Sequence, residues 1–162
     1  MRVLGIDPGL ANCGLAVIEE DREPVFCYAG TVVTEPQLTT TTRLAVIFQA
    51  VQGIIRQYHP DAMAVEGQYF LKQPKQAVSI GQARGVALLA AGQLGVPVFE
   101  YTPTQIKLAV VGYGKATKDQ IGWMVKAILK SPEPIDSNHA MDALAVALAH
   151  LNSYRVQPGV AL

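Results

Sequence analysis

Residues 3–18 constrain the chain most. An apolar run, Val3-Leu4-Gly5-Ile6, ends on a carboxylate, Asp7, and Pro8-Gly9 then turns the chain. Extended structure resumes at Gly14 with Leu15-Ala16-Val17-Ile18. Two apolar runs around a Pro-Gly turn read as a β-hairpin with an acid at its mouth. By itself an Asp before Pro-Gly is ordinary turn chemistry. Three later stretches, however, each offer a group that can join it.

A third strand, from Val25 to about Val33, completes an antiparallel meander. Thr39 to Thr42 open a helix whose apolar residues Leu44, Ile47, Phe48, Val51, Ile54, Ile55 and Tyr58 keep the 3.6 period, and His59-Pro60 ends it. The short apolar strand Ala62-Met63-Ala64-Val65 stops on Glu66. A helical crossover separates it from the first strand, which makes those two strands parallel. The next helix, 76–94, is apolar on two faces: Ile80, Ala87, Ala91 and Leu94 on one, Gly81, Gly85, Leu88 and Gly92 on the other. Glycine in a helix costs roughly 1 kcal/mol relative to Ala, so the second face is expected to serve close approach by another helix or a second copy of the chain. A strand from Val96 to Tyr101 leads to Thr102-Pro103, a helix start with Pro at the first position. Thr117 with Gln120 forms a capping box for a helix with the stripe Ile121, Met124, Val125, Ile128 and Leu129, broken by Pro132 and Pro134. The last helix starts near Asp136 or Ser137 and buries Ala140, Ala143, Leu144, Ala147, Leu148 and Leu151.

The expected fold is therefore α/β: a five-stranded mixed sheet, three antiparallel strands then two parallel, flanked by helices. A chain of 162 residues with 50% hydrophobic residues suits one core. We assign 1–152 to one domain and 153–162 to a loose tail. No apolar run is long enough for a bilayer, and residues 1–20 lack a signal-peptide pattern. Cys13 and Cys27, without CxxC spacing, suggest reduced thiols in a cytosolic protein. The formal net charge of +0 decides nothing about a polyanionic partner.

The chemistry gathers at one sheet edge. Asp7 and Glu66 each end a strand, and sites in open α/β sheets lie at the carboxyl ends of strands. His139 and Asp142, spaced i and i+3, share one side of the last helix. Asp136, three residues before His139, competes for the same role or caps the helix. Taken singly, each has a plain structural reading: Glu66 as a solvated strand end, His139 as a surface helix residue. Taken together, three carboxylates and an imidazole call for cations, and oxygen-rich ligands suit Mg²⁺ or Mn²⁺. Two such ions about 4 Å apart serve in-line displacement at phosphorus. Because His139 brings nitrogen in place of oxygen, Mn²⁺ is expected to be preferred.

The opening GIDPG, the VEG that ends a strand, the GQARG helix, the VFEY strand, the VVGYGKATK loop and the terminal DALA together resemble the RuvC family of bacterial Holliday-junction resolvases. They occur in the family's order and spacing from Met1 to about Asn152. The resemblance implies an RNase H-like fold, a cytoplasmic bacterial homodimer, and metal-dependent nicking of opposing strands of a four-way DNA junction. A branch-migration complex of the RuvA/RuvB type is the implied partner. The family's acids fall on Asp7, Glu66 and Asp142. Many members carry a fourth carboxylate where this chain has His139, and some have His there too.

By the same resemblance, Lys107 and Lys118 are basic positions that approach DNA, and Tyr69 is the aromatic that wedges into the junction, with Phe70 a neighbour. Lys118 also has a physical argument, since a cation in a helix's first turn works against the dipole. Lys72, Lys75, Arg84 and Lys115 are candidate phosphate contacts. Tyr69 and Phe70 lie beside cations, as base stacking requires; the plain reading is that one of them packs under the loop as core, and Phe70 is the one expected to. Trp123, His59 and His150 are assigned structural places. The competing functions are an RNase H-like nuclease on structured RNA, a non-catalytic junction-binding module, and a nucleotide-binding ATPase lobe, for which the chain is too short.

Overall fold

The structure, a computed structural model, describes residues 1–67, 74–130, 135 and 137–156, without the side chains of 74, 75, 155 and 156. Five strands, β1 (Arg2–Asp7), β2 (Asn12–Glu20), β3 (Pro24–Val33), β4 (Ala62–Glu66) and β5 (Val98–Tyr101), form one sheet in the order β3-β2-β1-β4-β5. β1 to β3 make the antiparallel meander, and β4 and β5 add in parallel, as the pattern of runs predicts. The register sets Asp7 opposite Gly14, while the β1–β4 ladder closes at Ile6–Val65.

Alternation within the strands divides the interior into two cores. Leu4, Ile6, Leu15, Val17, Met63 and Val65 pack with Ile47, Val51, Ile54 and Ile55 of α1 (Thr40–Tyr58) and Ala83, Ala87, Ala90 and Ala91 of α2 (Pro74–Gln93). Val3, Ala16, Ala62, Ala64, Phe99 and Tyr101 face α3 (Pro103–Val111), α4 (Lys118–Leu129) and α5 (Asn138–Val156). The starts of α1, α3 and α4 are capped by Thr39, Thr102 and Thr117, the last two in full capping boxes with Gln105 and Gln120. His59 ends α1 in the left-handed region, φ 48°.

Three details differ from expectation. β5 starts at Val98 because Val96 N–H still bonds Ala91 at the end of α2 and Pro97 has no N–H to give a ladder. On α2 the exposed face carries Val78, Gly81, Gly85, Leu89 and Gly92; Leu88 packs into the core, and the sheet side is made by the alanines, with Ile80 and Leu94 half-buried. Among the described residues, the helix's own backbone aside, no atom comes within 4 Å of a Cβ built on Gly81, Gly85 or Gly92, so these glycines serve no close contact there. α5, expected to show one stripe, is buried almost all round from Ala143 to Leu151 and runs on to Val156, four residues beyond Asn152. Its small residues let it pass between the sheet and α3 and α4. His150 is fully buried there, bonded through Nδ1 to the Tyr101 hydroxyl at 2.8 Å and stacked near Phe99 and Tyr154. Among the described residues no helix is long and apolar enough to cross a membrane.

Candidate active site

Two glycines decide where α5 lies. A Cβ on Gly14 would stand 2.5 Å from the His139 carbonyl carbon, and one on Gly5 would stand 2.9 Å from Ala147 Cβ. With hydrogen at both places the helix backbone rests directly on the β1–β2 hairpin. Its first turn is tied down by Ser137, whose Oγ lies 2.6 Å from Thr31 Oγ1 on β3 and accepts from Ala140 N–H at 3.5 Å. Ser137 thus takes the place of helix start that the sequence leaves shared with Asp136, which lies outside the described residues.

The contact delivers His139 and Asp142 to the strand ends. His139 Nδ1 is 2.8 Å from Asp7 Oδ2. Lys118 Nζ, from the first turn of α4, donates to Asp142 Oδ2 at 2.9 Å. Glu66 points to the same side of the sheet and lines an open pocket of about 230 Å³ with Pro103, Ile106, Lys107, Lys118, Ile121 and Asp142.

The electrostatics are those of crowded acids. Burial, then the nearby Asp7 and Asp142, raise the Glu66 carboxyl to about 7, against the opposing pull of Lys118 and Lys107. Asp7 is raised as well, by burial first, with the His139 hydrogen bond opposing and Asp142 adding. Lys118 is held protonated by its bond to Asp142 and by the charges of Asp7 and Glu66. Burial pushes the Cys13 thiol up to about 12, which removes it as a nucleophile.

The donor set suits a hard divalent cation: three carboxylates and an imidazole around one edge, two of the acids destabilised in their charged form. Among the described residues no three such donors are gathered tightly enough to cage an ion unaided. Instead Lys118 stands against Asp142 and His139 against Asp7, so an ion would displace the lysine from one carboxylate and share the other with the imidazole. The residues therefore fit the cation in kind.

Of the sequence candidates, Asp7, Glu66, His139, Asp142, Lys107 and Lys118 come together. Lys115 is exposed in the loop between α3 and α4. Tyr69, Phe70, Lys72 and the side chain of Lys75 lie outside the described residues. Arg84 departs from its expected role: its guanidinium is ion-paired with Glu100 against β5 and is not turned to the pocket. Thr31 carries no signal in the sequence, and Gly5 and Gly14 read there as strand residues with no part in seating α5. Glycines inside otherwise apolar strands were the available signal for close backbone approach.

The family model for the crossover junction endodeoxyribonuclease RuvC matches residues 3–150. The chain is 47% identical over 161 residues to the crossover junction endodeoxyribonuclease RuvC of Syntrophomonas wolfei, covering 96% of this chain and 91% of that one. It superposes on T. thermophilus RuvC in complex with Holliday junction substrate with a TM-score of 0.95 at 36% identity, over 100% of this chain and 99% of that one. The yeast mitochondrial Holliday junction resolvase Ydc2 shares the fold, with a TM-score of 0.69 at 13% identity over 96% of this chain and 81% of that one. With a five-stranded RNase H-like sheet and this acidic edge, the chain belongs to the RuvC family of crossover junction endodeoxyribonucleases.

Proposed function

We propose that the protein resolves four-way DNA junctions by paired, metal-dependent nicks that leave 5′-phosphate and 3′-hydroxyl ends. The observation that carries this reading is the convergence of Asp7, Glu66, His139 and Asp142 at one sheet edge, beside Lys107 and Lys118. Asp7 is central: buried, between His139 and the other acids, it is the group best placed to serve two ions. Asp142 and His139 would hold one ion with it and Glu66 the other. Bound divalent cations would supply a deprotonated water and charge neutralisation at the phosphate. We assign Mn²⁺ as the better of the two ions, because His139 contributes nitrogen.

Lys118 sits ready to exchange Asp142 for a phosphate oxygen, and Lys107 adds a second cation to the pocket. Tyr69 would stack on a base that is unpaired only at a junction. Cutting two opposing strands requires two sites, so we propose a homodimer, with the open face of α2 at Val78, Gly81, Gly85, Leu89 and Gly92 as part of the contact. A branch-migration complex of the RuvA/RuvB type and a cytoplasmic setting complete the proposal. The test is nicking, with divalent ion, of a four-way junction beside a linear duplex of the same sequence. Selective cutting of the junction is expected; equal cutting of both, or none, contradicts the reading.

A further inference from the structure

Glu66 is held by less backbone than its position demands. The β1–β4 ladder ends one residue earlier, at Ile6–Val65, so from this point β4 is supported only by β5. β5 is four residues long and forms the edge of the sheet. Its last bonds are the Glu66–Tyr101 pairing and Gly67 N–H to Tyr101 O at 2.9 Å. A second restraint comes from the opposite face. Glu100, opposite Val65 on β5, lays its side chain over the Cα of Gly67, so closely that a Cβ there would stand 2.7 Å from Glu100 Cγ and 2.8 Å from its Cδ.

A glutamate side chain alone would swing away from such a contact at little cost. This one is restrained, because Arg84 of α2 holds its carboxylate in a half-buried ion pair whose side chains are 30% and 18% exposed, so moving it means breaking that pair. The guanidinium reaches Glu100 Oε2 through Nη2, while its buried Nε has no hydrogen-bond partner among the described residues, so Glu100 is the group that holds it. Gly67 is thereby pinned between the Tyr101 carbonyl and the Glu100 side chain, and α2 is fastened to the residue that follows Glu66. None of these groups touches the Glu66 carboxylate, which points to the α5 side.

We propose that Arg84 and Glu100, closing over Gly67, are positioning residues that fix Glu66 for ion binding. This rests on Glu66 being an ion ligand, and the experiment separates the two claims. Mn²⁺ alone is titrated into the full chain without DNA, following loss of the free-ion paramagnetic resonance signal, with thermal melting and metal-free junction affinity measured alongside. Glu66→Ala is the reference, expected to weaken Mn²⁺ binding. Glu100→Ala and Gly67→Ala are each expected to weaken it about tenfold, in the range for residues that orient a ligand from behind, with metal-free junction affinity within about twofold of the original chain. Adding Gly67→Ala to Glu100→Ala is expected to cost nothing further, because the clash partner is gone. Glu100→Gln keeps the volume, is expected to lose less than Glu100→Ala, and with Gly67→Ala carries the test should Glu100→Ala not fold. Unchanged Mn²⁺ binding in the Glu100 and Gly67 variants, or losses that add in the double variant, overturns the positioning role while Glu66→Ala still loses binding. Unchanged binding in Glu66→Ala overturns the ligand assignment itself.

Discussion

Replacing Glu66 by Gln should stabilise the metal-free protein at pH 8 and leave its stability unchanged at pH 4. Burial, reinforced by Asp7 and Asp142, lifts the Glu66 carboxyl from the ordinary 4.5 to about 7. The folded chain therefore holds this proton more tightly than the unfolded chain. Between those two values the unfolded chain has already released the proton and the folded chain has not, so stability falls as pH rises and the whole penalty is present above pH 7. From 4.5 to about 7 corresponds to roughly 3 kcal/mol, at about 1.36 kcal/mol per tenfold. A carboxylate still partly in water realises less, about 2 kcal/mol. For a chain of this size that is about 4–8 °C in melting temperature. Urea and thermal unfolding in the presence of a chelator, at pH 4 and pH 8, measure it. Adding Mg²⁺ or Mn²⁺ at pH 8 should then raise the original chain toward the variant, since an ion that binds only the folded state restores what the crowded acids cost. A variant no more stable than the original chain at pH 8, or equally more stable at pH 4, would refute the account of Glu66 as an acid strained by burial and by its neighbours.

Two further substitutions probe the proposed ligands and the helix that brings them. His139→Asp should move the ion preference from Mn²⁺ toward Mg²⁺, read by titrating both ions against cleavage; an unchanged ratio removes His139 from the ligands. Gly14→Ala places a methyl against the backbone of α5 at His139, and backbone cannot rotate away as a side chain can. It should lower stability by about 1–3 kcal/mol and cleavage by roughly a hundredfold, checked by urea unfolding and turnover together.

The fold was legible because its signals are local. Apolar runs, the Pro-Gly turn and the Thr–Gln capping boxes each specify an element, and the crossover rule fixes the direction of β4. Residues placed by register followed from this, so Asp7, Glu66, His139 and Asp142 could be named from strand ends and one helical spacing. What escaped depends on contacts between distant stretches. Nothing near Arg84 in sequence announces Glu100, so the residue reads as a free cation. The helix α5 reads as one apolar stripe because its outer alanines are ambiguous until α3 and α4 cover them. Gly5 and Gly14 look like weak strand residues until α5 is known to lie on them.

The most direct measurement is cleavage and junction affinity of Asp7→Asn, taken together. The substitution keeps the side chain's size and its place beside His139 and removes the charge on which the proposed ion site depends. DNA affinity, which we propose rests on Lys107, Lys118 and a dimer, should stay nearly as in the original chain, while nicking of the four-way junction is abolished. A variant that still nicks at a rate near the original would contradict the assignment of this edge as the catalytic centre.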